Sequence, residues 1–146
     1  MSKIGLNRHS AEVKTDKRSE NRFILFLKLW GPVFIWCSLI FILSNQPDLT
    51  LNLPDELIMR KSAHAVEYAV LTLLLFRALY NWQRKGPALQ MRLKINCIIL
   101  SIVLVLFFSI SDGFHQTFIP GRNGTPYDVI IDSLGMMVAG LILAKK

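Results

Sequence analysis

The chain has 146 residues, 52% of them hydrophobic and 18% charged, and carries a formal net charge of +7. This length suits one domain, and low charge with long apolar runs is the composition of an integral membrane protein rather than a soluble one. The basic residues flank apolar segments and form neither a groove-filling nor a base-stacking pattern, so no nucleic-acid partner is expected.

In chain order, residues 1–22 form a polar tail with Lys3, Arg8, Lys14, Lys17, Arg18 and Arg22. The tail has no apolar periodicity and is expected to stay mobile or lie on the membrane surface. It is long for a signal-peptide n-region. The apolar stretch behind it is too long for an h-region and has no A-x-A-like site, so a retained signal anchor is the better reading. Phe23–Leu43 supplies the roughly twenty apolar residues that a bilayer core requires. Lys28 near its basic end can snorkel to the interface. Gly31-Pro32 should kink this span, and Ser44-Asn45-Gln46-Pro47 should end it.

Asp48–Arg60 reads as a polar loop. A second span follows over about Ser62–Trp82, and it opens with Lys61, His64, Glu67 and Tyr68. Spacings of three and four place these along one helical face. Arg77 and Trp82 suit the opposite interface. Gln83–Lys94 is a basic loop broken by Gly86-Pro87, and Ile95–Ser111 is the third span, uncharged until Asp112. Tyr127–Ala144 is the fourth span. Cys37 and Cys97 both fall inside apolar segments and read as small core hydrophobes.

The stretch between the last two spans is chemically dense. Asp112, His115 and Gln116 stand at i, i+3 and i+4, on one face if helical. Pro120-Gly121 breaks the chain, Arg122 follows, and Asn123-Gly124 turns it further. Asp128 and Asp132 are four apart and lead into Gly135 and Ala139, small residues that let helices approach closely. Four spans with short connections imply an all-α polytopic membrane protein, an up-down-up-down four-helix bundle over residues 23–146. Lysines and arginines number six in the tail, four in the second loop and two at the C-terminus, against Arg60, Lys61 and Arg122 in the first and third loops. The positive-inside rule then expects both termini in the cytoplasm and every unusual polar residue on the extracytoplasmic rim.

These pieces resemble the VanZ-like membrane proteins, a family named for a protein associated with teicoplanin resistance. The resemblance runs from Phe41 to Gly140. It is carried by Ser44-Asn45-Gln46-Pro47; by Lys61, His64, Glu67 and Tyr68; by Asp112, His115 and Gln116 with Pro120-Gly121-Arg122; and by Asp128, Asp132 and Gly135. It implies a four-helix membrane protein of the cell envelope and does not fix one reaction. The family commonly has Asp-Glu where this chain has Asp112-Gly113.

The residues allow concrete roles beside plain ones. His64 is a candidate acid or base oriented by Glu67, although Glu67 in a first turn is also favoured by the helix dipole. Asp112, His115 and Gln116 are more than one helix end needs for capping. Arg122 either clamps a phosphate or carboxylate in bidentate fashion or pairs with Asp128. Asp128 suits a helix N-terminus, whereas Asp132 sits a turn deeper, where burial would favour a proton carrier. Catalytic roles are therefore expected of His64, Glu67, Asp112, His115, Asp128 and Asp132. Substrate contacts are expected of Lys61, Tyr68, Gln116 and Arg122. Two imidazoles and up to four carboxylates could coordinate a divalent metal, but HExxH-type spacing is absent and no other cofactor is indicated. Two functions follow as expectations. One is an enzyme acting on a phosphate-bearing lipid, a polyprenyl phosphate or cell-wall precursor, as hydrolase or transferase. The other is a non-catalytic envelope protein that lowers glycopeptide susceptibility by binding or masking.

Overall fold

The computed structural model describes residues 3–46, 56–83, 90–120 and 126–145. Within them lie four helices and no strand: α1 (Lys3–Ser44), α2 (Glu56–Gln83), α3 (Gln90–Gln116) and α4 (Pro126–Lys145). Each contains a segment long and apolar enough to cross a membrane: Asn21–Ser44, Lys61–Gln83, Gln90–Gln116 and Tyr127–Lys145. The protein is thus an all-α, four-span membrane protein, as its hydropathy pattern predicts.

The boundaries depart from the sequence reading where no local signal stops a helix. The basic segment after Lys3 belongs to α1, and Arg92 and Lys94 belong to the first turns of α3 rather than to a loop. At its other end α3 runs past Ser111 to Gln116, because no proline intervenes and Gly113 only weakens a helix. Tighter turns then close it, Thr117 N donating to Phe114 O, Phe118 N to His115 O and Ile119 N to Gln116 O at 3.1–3.2 Å. Arg122, with Gly121, Asn123 and Gly124, lies outside the described residues.

α1 continues through Pro32. A proline has no N–H, so the carbonyl one turn earlier, that of Lys28, loses its helical donor. The neighbouring helix replaces it: Arg77 Nη2 of α2 donates to Lys28 O at 3.3 Å. Close by, the Arg22 guanidinium lies 5.8 Å above the Trp82 ring, and Phe26 meets Trp82 edge-on with centroids 6.1 Å apart. These contacts fasten the start of the first span to the end of the second.

In lipid, apolar burial does not drive helices together, so close backbone approach and interhelical hydrogen bonds matter more. The most extensive contact is between α2 and α4. Gly135 makes it possible: a Cβ there would overlap the Ala65 carbonyl oxygen and sit 2.8 Å from its carbon. Ile40 of α1, Tyr68, Leu71 and Ala78 of α2, Val105 of α3 and Met136 of α4 fill the centre. Phe34, Ile35, Phe107 and Leu141 point outward, as lipid-facing residues should. Several hydroxyls are satisfied within their own helix, Thr72 on Tyr68 O at 2.8 Å and Ser101 on Cys97 O at 2.6 Å. Ser44 and Ser109 instead donate to carboxylates, and these mark the site.

Candidate functional site

Asp112 lies about one turn before the end of α3 and is 5% exposed. Its Oδ2 accepts three hydrogen bonds, from Ser44 Oγ at 2.7 Å, Tyr68 OH at 3.0 Å and Gln116 Nε2 at 2.8 Å. Gln116 Nε2 also reaches Ser44 Oγ at 3.2 Å. One carboxylate oxygen thereby ties the end of α1, the early turns of α2 and the last turn of α3. Its other oxygen, Oδ1, is buried without a hydrogen-bond partner. Unmet buried acceptors are costly and uncommon, so this atom is the sharpest anomaly in the bundle.

Asp132, 6% exposed, sits roughly two turns into α4. Its Oδ2 accepts from Ser109 Oγ at 2.6 Å. Ser109, Asp112 and Gln116 occupy i, i+3 and i+7, one inward stripe of α3. Ser109 serves α4 and Asp112 serves α1 and α2. Ser109 and Asp112 are one turn apart on the same face, so the two carboxylate clusters adjoin.

His64 belongs to the same end. Its ring lies near that of Tyr68, centroids 6.4 Å apart. Its Nδ1 is 3.2 Å from Glu67 Oε2. That is an ion-pair distance without hydrogen-bond alignment, and Glu67 Oε2 remains a buried atom with no hydrogen-bond partner. Lys61 Nζ approaches Asp128 Oδ1 at 3.5 Å, with both side chains about one-third exposed.

His115 takes a different course. It stacks on Phe41 of α1, centroids 4.8 Å apart and planes inclined by 28°, and its buried Nε2 has no hydrogen-bond partner. The sequence-predicted residues other than Arg122, which lies outside the described residues, therefore do gather at one end, as linked pairs and clusters. Among the described residues no three His, Cys, Asp or Glu side chains come close enough to share a metal ion.

Sequence reasoning missed three contributors: Ser44, Ser109 and Phe41. The signal for Ser109 was present, three residues before Asp112 on the same face. For Ser44 the clue was its place in Ser44-Asn45-Gln46-Pro47, read as a helix end and as part of the family resemblance but not as a site residue. Nothing in sequence order marked Phe41 as the platform for His115. At Gly113 a Cβ would meet only Val129 Cγ2, at 3.8 Å. A Cβ there would thus be in ordinary van der Waals contact with α4.

Four spanning helices with carboxylates hydrogen-bonded inside the bundle near one end define a polytopic membrane protein with an intramembrane polar site. Its family follows from comparison: the VanZ/LLP1 family model matches residues 8–145, nearly the whole chain, and the protein belongs to that family. No curated protein and no solved structure matches it significantly.

Proposed function

We propose that this end of the bundle is the extracytoplasmic binding site for the headgroup of a phosphate-bearing, lipid-linked cell-envelope precursor. The observation that carries the reading is a pair of buried polar atoms without a hydrogen-bond partner, Asp112 Oδ1 and His115 Nε2, both near the end of α3. Ionisable groups inside a membrane are costly and mark substrate or proton paths. Asp112 Oδ1 is an acceptor, so it suits a hydroxyl or amide hydrogen of a saccharide or peptide portion. Lys61 and Arg122 are the cations for the phosphate. His64 beside Glu67 is the acid/base unit of a hydrolase or transferase step, and Asp112 fixes Tyr68 and Gln116 around it. The lysine and arginine distribution supports both termini in the cytoplasm.

The family favours a second reading, a non-catalytic protein that lowers glycopeptide susceptibility by occupying or masking the precursor. The two readings share the ligand and differ in turnover. The test uses purified protein in nanodiscs with a polyprenyl diphosphate saccharide, and follows binding and phosphate release together. Binding that weakens at least tenfold in Asp112→Asn is expected, with release stopping in His64→Gln if the step is catalytic. Binding without release supports masking. No saturable binding by the wild-type protein would refute the site.

A further inference from the structure

The opposite end of the bundle carries cations that the site above does not use. Lys28 and Arg77 are exposed on α1 and α2. Each lies six or seven residues inside its apolar segment, Lys28 from Asn21 and Arg77 from Gln83, about 10 Å along the helix axis. Neither has a carboxylate partner among the described residues. The carboxylates with described side chains, Glu67, Asp112, Asp128 and Asp132, are all at the other end. Arg77 is held in place by its bond to the Lys28 carbonyl that Pro32 leaves open. That bond uses one of five guanidinium donors, and the others stay available. Arg22 is positioned by Trp82, and the Phe26 and Trp30 rings stack with centroids 6.1 Å apart beside it. The result is a seam between α1 and α2 that carries three exposed cations beside the Phe26, Trp30 and Trp82 rings.

We infer that this seam is a binding site for one anionic phospholipid, its phosphate held by Lys28, Arg77 and Arg22 and its acyl chains along α1 and α2. Charge complementarity selects the ligand. Cations that have no carboxylate partner among the described residues and flank apolar surface call for an anion, and the bilayer supplies one on a lipid headgroup. A bidentate guanidinium suits phosphate oxygens, and basic pockets between spanning helices bind anionic headgroups in this way. The site is independent of the polar cluster at the other end.

Native mass spectrometry of the full-length protein with equimolar phosphatidylglycerol and phosphatidylcholine tests this directly. The wild type should retain phosphatidylglycerol preferentially, and phosphatidylglycerol should raise its melting temperature in neutral detergent. Each neutralised cation should weaken retention about fivefold, and Lys28→Gln with Arg77→Gln on the order of thirtyfold. Arg22→Gln, whose guanidinium only rests on Trp82, checks the effect without disturbing the Lys28 contact. Asp112→Asn should keep the preference. Equal retention of the two lipids by the wild type would overturn the proposal, as would an undiminished preference in the double variant or in Arg22→Gln. So would inorganic phosphate matching the stabilisation by phosphatidylglycerol, because the site would then read a free anion and not a lipid.

Discussion

Replacing Gly135 with alanine puts the packing argument at risk in one methyl group. The added Cβ would overlap the Ala65 carbonyl oxygen while lying 2.8 Å from its carbon and 3.2 Å from its Cα. These are backbone atoms of a helix, so no rotamer change relieves the clash and α2 and α4 must separate. Forcing a methyl into a packed interface costs typically about 1–3 kcal/mol, and the upper end applies where the neighbour is backbone. Two other glycines supply internal controls. At Gly140 the new Cβ would meet the flexible Ile102 Cδ1 at 2.9 Å, which can rotate away, so the cost should be under about 1 kcal/mol. At Gly113 it meets only Val129 Cγ2 at 3.8 Å. There the higher helix propensity of alanine should leave stability unchanged or raise it by up to about 1 kcal/mol. Reversible unfolding in mixed detergent micelles should therefore rank Gly113→Ala at or above wild type, Gly140→Ala below it and Gly135→Ala lowest. Gly135→Ala should also disturb the polar site, since Asp132 is three residues away and Ala65 adjoins His64. A Gly135→Ala protein as stable as Gly113→Ala would refute the close α2–α4 contact.

Two further outcomes follow from the hydrogen bonds. Tyr68→Phe keeps the ring packing but removes one of three donors to Asp112 Oδ2, and should cost about 0.6–1.7 kcal/mol, the range of interhelical bonds in membranes, read by the same unfolding assay; no loss would mean that the hydroxyl is not bonded. Pro32→Ala restores an N–H to the Lys28 carbonyl and so should make Arg77→Ala nearly silent, whereas in the Pro32 protein Arg77→Ala should cost about 0.5–1.5 kcal/mol; strictly additive effects in the double-mutant cycle would refute the replacement of that donor by Arg77.

How much was legible depends on whether the signal was local. Span count and helical character come from apolar runs that must satisfy their own backbone in lipid, so they could be read directly. The inward face of α3 was legible because Asp112 and Gln116 are one turn apart. The partner of Asp112 was not, since Ser44 stands 68 positions away and looks like any polar residue at a helix end. The sequence placed both histidines on one rim, but no spacing rule along α3 could reveal that His115 would stack on Phe41 of α1. At Gly31-Pro32 the sequence announced a proline inside the span but not what would answer its missing donor. The missing donor is felt at Lys28, and a side chain from another helix answers it.

The two ends of this protein solve opposite electrostatic problems, and that asymmetry gives the strongest reason to separate site from scaffold. At one end three neutral donors crowd a single oxygen of Asp112 while the other oxygen has none. A residue serving only to tie helices would gain by sharing its donors between both oxygens, since an unmet buried acceptor costs about 1–3 kcal/mol. An asparagine in that place could still accept from Ser44 and Tyr68 without bringing a charge into the bundle. That an aspartate stands there, one oxygen saturated and one bare, matches a group whose orientation is fixed by the protein and whose remaining valence is kept for something else. At the other end the cations are fixed in the same manner, Arg77 by a carbonyl and Arg22 by an indole, with their remaining donors open. In both places part of the group's bonding capacity holds its geometry, and the rest has no partner among the described residues.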